Sequence, residues 1–369
     1  MTFTIPDFNL IPWNNLIHTQ GRATDIISLF QAVNHSDEQI SKMAIYEIAN
    51  RTEQEGRLAS TSPLLLYYLL NQIEKKSIQR DFLLRSIKRI ATVIAYQWET
   101  YRNNRYSLST DLGILWQADK PYYWPNFISE QEDQSLWSKL PMEQIAEIAW
   151  HYSAQLLIDY KKTLEELKHT TPLENGLLYD ILTIIKMIKP QNRITIERNL
   201  TWKTEYLLLR AIHPTDRDNL CNHLQGEVAK YLSFNPNGNM RIIDFYIDQS
   251  IIEQQAGTAL VLVIEHPTTG EFLGSCALND INNESVELGL WLKETAQGKG
   301  LGVKIAQAMI DFIKTHINTS YILYNVEQGN HTSIRIPEIL QFSKGIHFLI
   351  EPTSLKNSMR EMQEYRLYL

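Results

Sequence analysis

Six consecutive residues, Gln297-Gly298-Lys299-Gly300-Leu301-Gly302, have the spacing best suited to chemistry in this chain of 369 residues. They join an apolar run that reads as a strand, Ser285–Leu292, to one that reads as a helix, with Leu301, Ile305, Ala308, Met309 and Phe312 on one face. A helix N-terminus has amides without intrahelical partners and a partial positive charge. Glycines let the backbone wrap an anion closely and take positive φ, and Lys299 adds charge. The loop therefore suits a phosphate or pyrophosphate. It is not a P-loop, because no Gly-Lys-Ser/Thr closes it. Nor is it a dinucleotide fingerprint: the spacing is GxGxG, and no acidic residue on a second parallel strand follows. A plain glycine-rich turn is the alternative reading.

Other reactive residue types are sparse. The two cysteines, Cys221 and Cys276, lie far apart without CxxC spacing, so neither a disulfide framework nor a zinc site is indicated. His266, His316, His331 and His347 are isolated, and no HxxxH pair offers a metal site, so no metal is expected.

The elements that must hold the loop fall into two grammars. Up to about residue 190 the chain reads as successive helices. Ser36-Asp37-Glu38-Gln39 has the form of a capping box ahead of Ile40–Arg51. Ser62-Pro63 starts an apolar helix, Leu64–Ile73. Phe82–Trp98 carries Leu83, Ile87, Ile90, Ala91 and Ile94 on one face. After an aromatic, Pro-containing loop over Asp119–Phe127, helices are expected at Met142–Leu167 and Leu173–Lys189. Six of the eight tryptophans (Trp13, Trp98, Trp116, Trp124, Trp137, Trp150) lie in this half, where core packing or a partner groove would use them.

Beyond residue 190, strands are expected at Tyr206–Ile212, Ala259–Glu265, Phe272–Leu278, Ser285–Leu292, Tyr321–Val326, Ile346–Ile350 and Tyr365–Leu369, with a short helix at Thr332–Leu340. The charge cluster Lys356–Glu364 reads as a solvated segment before the last strand. The fold class is thus α+β in two domains: an all-α domain at 1–190 and a mixed α/β sheet at 191–369.

Composition sets the outer bounds. At 44% hydrophobic and 21% charged, the chain can bury ordinary cores. The net charge of −7 is spread evenly: 19 Lys and Arg against 22 Asp and Glu before residue 191, and 16 against 20 after it. No basic stripe argues for nucleic acid. No signal-peptide pattern opens the chain, and no run of 18 apolar residues would span a membrane. A cytoplasmic protein is expected.

Three separated segments carry a family resemblance. Val286-Glu287-Leu288-Gly289-Leu290-Trp291-Leu292 followed by Gln297–Gly302 closely resembles the GNAT N-acetyltransferases. More narrowly it is similar to the subgroup acting on ribosomal-protein N-termini, in which a Glu-hydrophobic-Gly-aromatic strand precedes Gln-Gly-x-Gly-hydrophobic-Gly. Asn330-His331-Thr332-Ser333 has the family's Asn-x-x-Ser spacing, with Leu340-Gln341-Phe342 where Gly-Phe is usual. Upstream, Thr204–Arg210 resembles the opening strand. In the first half, Gly21–Trp98 resembles HEAT-type repeats, notably Glu55-Gly56-Arg57 followed by Ser62-Pro63-Leu64-Leu65-Leu66; a generic helical bundle fits the same pattern.

The GNAT resemblance implies acetyl-CoA as co-substrate. It places the pyrophosphate on the amides of Gly298, Lys299, Gly300, Leu301, Gly302 and Val303, with Gln297 also among the cofactor-binding residues. The pantetheine arm pairs with the backbone of Leu290, Trp291 and Leu292, and Asn330 and Ser333 lie near the lower arm and the sulfur. Ser333 would protonate the leaving thiolate or hydrogen-bond the arm; as a helix cap it would do neither. An alkyl amine is mostly protonated at neutral pH, so a general base is useful. Glu287, sharing a strand face with Gly289 and Trp291, is the first candidate, against a structural carboxylate; Glu351 is the second. The implied reaction is acetyl transfer to an amine: a protein N-terminus, a lysine or a small amine, with the helical domain holding a protein or peptide acceptor. The departures at Gln341 and at Val303-Lys304-Ile305, where Thr-Glu-Ala is frequent, motivate the alternative of a catalytically weak acyl-CoA-binding scaffold.

Overall fold

The computed structural model describes residues 3–369 apart from 5–6, 74, 76–78, 102–107, 121, 168–169, 189–196, 198–199, 235 and 354–355. The chain folds as two compact units, Met1–Lys189 and Pro190–Leu369.

The first unit is helical: α1 (Ile26–Val33), α2 (Glu38–Thr52), α3 (Ser62–Gln72), α4 (Arg80–Tyr96), α5 (Trp98–Tyr101), α6 (Glu130–Trp137), α7 (Met142–Glu165) and α8 (Pro172–Ile188). Pro63 stands in the first turn of α3, as its sequence predicts. This helix is buried nearly all round, which its uninterrupted apolar run requires. On α4, Leu83, Ile87, Ile90, Ala91 and Ile94 are buried as the expected face. The cap of α2 differs from expectation. Asp37, not Ser36, takes the Gln39 amide, at 2.8 Å, because the helix starts at Glu38 and Asp37 is its N-cap. The helices α1 and α6 were not foreseen. Trp13, Trp124 and Trp150 are core residues, and Trp116 and Trp137 pack against that core. The Trp98 side chain and the Lys189 end of the last expected helix lie outside the described residues.

A solenoid confines each repeat to its neighbours. Here α4 packs against α2, α3, α7 and α8, and α3 also meets α7. The unit is helical and closes on itself, and the successive stacking of a HEAT-like array is not found among the described residues.

The second unit is one eight-stranded sheet with helices on both faces. Its strands are β1 (Thr201–Lys203), β2 (Leu208–Ala211), β3 (Leu260–Glu265), β4 (Phe272–Asn279), β5 (Ser285–Leu292), β6 (Tyr321–Glu327), β7 (Ser343–Ile350) and β8 (Arg360–Tyr368). Their order is β7-β8-β6-β5-β4-β3-β2-β1. Helices α9 (Arg217–His223), α10 (Gly226–Ala229) and α11 (Met240–Ala256) lie between β2 and β3; α12 (Leu301–His316) links β5 to β6, and α13 (His331–Ile339) precedes β7. Alternation along β5 sends Val286, Leu288 and Leu292 into the core shared with α12, while Trp291 joins the core with α9 and α11. No described helix is long and apolar enough to cross a membrane.

The last strand corrects the sequence reading. Lys356–Glu364 is not a solvated segment, because β8 begins at Arg360, and Arg360, Gln363 and Glu364 are buried. Their charge is tolerated because it is paired: Arg360 Nε lies 2.9 Å from Glu327, and Arg366 Nε 2.6 Å from Glu364.

Candidate functional site: a cavity where the sheet divides

All neighbouring strands pair antiparallel except β5 and β6, which run parallel. Their ladder has three rungs, ending at Glu287 opposite Leu323. Both strands continue, to Leu292 and Glu327, each still paired on its outer side. The sheet therefore divides, and a cavity of about 500 Å³ occupies the gap.

The backbone facing this gap follows from ladder alternation. Lys293 N donates to Leu273 O at 2.9 Å, which assigns Trp291 and Gly289 to the hydrogen bonds with β4. A Cβ on Gly274 would meet Trp291 O at 2.2 Å, as that assignment requires. Leu290 and Leu292 thus turn their amides and carbonyls toward the gap. Of the three residues singled out there, Leu290, Trp291 and Leu292, the first and last have backbone on the gap side that pairs with no strand. Trp291 lines the cavity too, but its backbone is paired with β4.

The glycine loop closes one end. Gly298 and Gly300 have φ of 73° and 71°, and Gly300 is the N-cap of α12, so a Cβ there would be strained. Gly302 lies against α13: a Cβ there would come within 2.9 Å of the Ile336 Cδ1 methyl. Gln297 Nε2 donates to Leu292 O at 2.8 Å and fixes the loop to the strand. Gln297, Gly298, Gly300, Leu301, Gly302 and Val303 all line the cavity. Lys299 does not; it is exposed, and its Nζ donates to Thr295 O at 2.7 Å.

At the wall formed by α13, Asn330 Oδ1 accepts from Ser333 N at 3.2 Å, so Asn330 is the cap and Ser333 is free of that duty. Both line the cavity. The Ser333 hydroxyl meets Tyr324 Oη at 2.8 Å. Burial pushes the Tyr324 phenol up to about 12, against the lowering effect of Ser333. Neither of the two expected carboxylates is in the wall. Glu287 sits on the last rung before the gap, and Glu351 just beyond β7; neither lines the cavity.

Tyr324, Arg335, Glu227 and Glu327 line the cavity and were not singled out from sequence. Strand alternation puts Tyr324 on a face with Ile322 and Val326, but only the turn into α13 brings Ser333 to it. Glu327 is engaged by Arg360, whose Nη2 also donates to Tyr231 O at 3.0 Å. Tyr231 Oη donates to Gly329 O at 2.9 Å, and Lys356 Nζ donates to Lys230 O. These bonds draw the segment after α10 over the cavity. The lining thus comes from α10 and its sequel on one face of the sheet and from α12 and α13 on the other.

Comparisons with known proteins bear on this arrangement. Residues 206–343 match the acetyltransferase (GNAT) domain family. No curated protein matches the chain. Among solved structures, a RimL ribosomal L7/L12 alpha-N-protein acetyltransferase in complex with coenzyme A is 17% identical; the match covers 45% of this chain and 96% of that one, with a TM-score of 0.41. An acetyl transferase from Salmonella typhimurium, described as modifying the N-terminal serine of L7/L12, is 18% identical over 45% and 96%, TM-score 0.40. A spermidine N-acetyltransferase from Vibrio cholerae, with CoA and spermine, is 19% identical over 45% and 96%, TM-score 0.40. The divided sheet, the glycine loop capping α12 and the family match agree with the resemblance read from sequence: residues 206–343 are a GNAT acetyltransferase domain.

Proposed function

We propose that the C-terminal unit transfers an acetyl group from acetyl-CoA to an amine, by direct attack within a ternary complex. The observation that carries this reading is the three-rung β5–β6 ladder, whose early end opens a cavity between a phosphate-suited loop and the Tyr324–Ser333 pair. The residues present fit CoA. Loop amides at a helix N-terminus suit the pyrophosphate, with Arg335 as a nearby cation. The gap-facing groups of Leu290 and Leu292 suit the amides of pantetheine, which would lie along β5 as an added strand.

The acceptor enters from the face of α10. Its lining there combines Tyr231, Leu232 and Trp291 with Glu227 and Glu327. Glu287, on the same strand face as Gly289 and Trp291, takes the ammonium proton through water. The neutral nitrogen then attacks the thioester carbon, and Ser333 hydrogen-bonds the departing sulfur. The helical unit recognises a protein or peptide acceptor; its supporting feature is an exposed apolar row on α2, Ile40, Met43 and Tyr46.

The test is release of free CoA thiol from acetyl-CoA, followed with polyamines, free lysine and peptides bearing an N-terminal serine. Acceptor-dependent release is expected, falling about 10²–10⁴-fold in Glu287→Gln at neutral pH. Tight acetyl-CoA binding without turnover on any of these amines would instead support the scaffold reading.

A further inference from the structure

We infer that Tyr324 is a positioning residue for the departing thiol: its phenol donates to Ser333 Oγ and thereby turns the Ser333 hydroxyl hydrogen toward the sulfur of CoA. This rests on the acyl-donor site proposed above and adds a part that neither loop nor strand supplies.

The geometry fixes where the sulfur must come. From Leu292, beside the loop, back to Leu288, beside the last rung, β5 covers four residues, roughly 13 Å. That is comparable to the extended reach of a pantetheine arm. Phosphates on the loop therefore bring the thioester to the closed end of the gap. Tyr324 is the next residue after Leu323, which makes the last rung. It lines the cavity there together with Ser333.

The direction of the bond follows from the two hydroxyls. A phenol is the more acidic and so the better donor. Among the described residues, Ser333 Oγ is the hydrogen-bond partner found for Tyr324 Oη. Burial raises the Tyr324 phenol to about 12, so it stays protonated and donating across the working range. Phe342 packs edge-on at 6.2 Å, fixing the ring. With its oxygen accepting from Tyr324 and its amide held by Asn330, the Ser333 hydroxyl keeps one free hydrogen to give.

The step balances without any further reactant. The amine nitrogen bonds to the acetyl carbon, the C–S bond breaks, and its electron pair stays on sulfur. Ser333 stabilises that thiolate by a hydrogen bond and Tyr324 keeps its own proton. The proton shed by nitrogen passes through water, and sulfur takes one from solvent, giving amide and CoA thiol.

The test needs no acceptor. Full-length protein is titrated with CoA by calorimetry, and the thiol pKa of bound CoA is read from its ultraviolet thiolate absorption against pH. The charged residues lining the same cavity, Glu227, Glu327 and Arg335, are unchanged in every variant, so differences isolate the hydroxyl pair. Wild-type protein should hold the bound thiol below the pKa of free CoA. Tyr324→Phe, which removes one oxygen, should raise it by about one pH unit, with CoA affinity changed less than threefold. Ser333→Ala, the check should Tyr324→Phe fold poorly, should give the same rise. A wild-type thiol pKa retained in either variant, or equal to that of free CoA in wild type, overturns the inference while leaving the acyl-donor site intact. Failure of folded wild-type protein to bind CoA overturns both.

Discussion

The two units spend the same apolar residues in opposite ways. In the helical unit α3 and α4 are surrounded on several sides, and the core is continuous from Phe3 to Ile188. In the sheet unit the interior is divided into two cores, one on each face, and the strands between them separate in mid-sheet. Closing the β5–β6 ladder over its full length would add backbone hydrogen bonds and remove the cavity. The open ladder therefore costs stability at the place where a ligand can repay it. The comparison teaches that the helical unit closes its core, whereas the sheet unit leaves an opening within its own.

The sharpest break of that comparison lies in the core. Leu83→Ala, at a position with 0% exposure, should cost about 2–5 kcal/mol in denaturant unfolding. A loss below about 1 kcal/mol would show that the helical unit is looser than described. In the sheet unit, Gly300→Glu sets a side chain at positive φ and a negative charge where phosphate is proposed to sit. Acetyl-CoA affinity should fall about 100-fold by calorimetry, equivalent to roughly 2.7 kcal/mol. An unchanged affinity would put the phosphates elsewhere.

A pH test sharpens the picture of the helical unit. Burial would raise the Asp25 carboxyl, but His18 and Arg51 outweigh it and hold the group at about 2. His18 Nε2 lies 3.1 Å from Asp25, and Arg51 Nε 2.9 Å. A carboxylate depressed in the folded state binds fewer protons there than when unfolded. Its contribution is thus full above the usual carboxylate range and disappears as pH falls toward 2. Asp25→Asn should flatten acid unfolding between pH 4 and pH 2, seen by circular dichroism; an identical acid profile would contradict the network.

The smallest effect is expected at Gln341, whose φ is 60° where the family usually has glycine. Gln341→Gly should stabilise the protein by about 1 kcal/mol, by relieving left-handed strain. A loss of thermal stability would mean that the glutamine side chain compensates for its backbone.

These regions also differ in how far they were legible in the sequence. Strand β5 and the apolar face of α12 follow from local periodicity, and the loop between them from glycine spacing. Asn330 and Ser333 were singled out only through the family resemblance, and the structure places both in the cavity lining. The gap itself was not readable, since where a parallel ladder stops depends on how α12 and α13 pack on each other and on β5 and β6. Nor was the first half of β8, ahead of the strand expected from Tyr365, because buried charge reads as solvent-facing until the partners, Glu327 for Arg360 and Arg366 for Glu364, are known. The Tyr324–Ser333 contact was hidden for the same reason: it joins a strand to a helix through a turn whose geometry no local pattern encodes.

The central claim is that the gap between β5 and β6 receives acetyl-CoA. Backbone hydrogen exchange at Leu290 tests it most directly, because this amide faces the gap while that of Trp291 already serves β4. The account expects acetyl-CoA to slow exchange at Leu290 strongly and at Trp291 little. Calorimetric binding with exchange at Leu290 unchanged would contradict it.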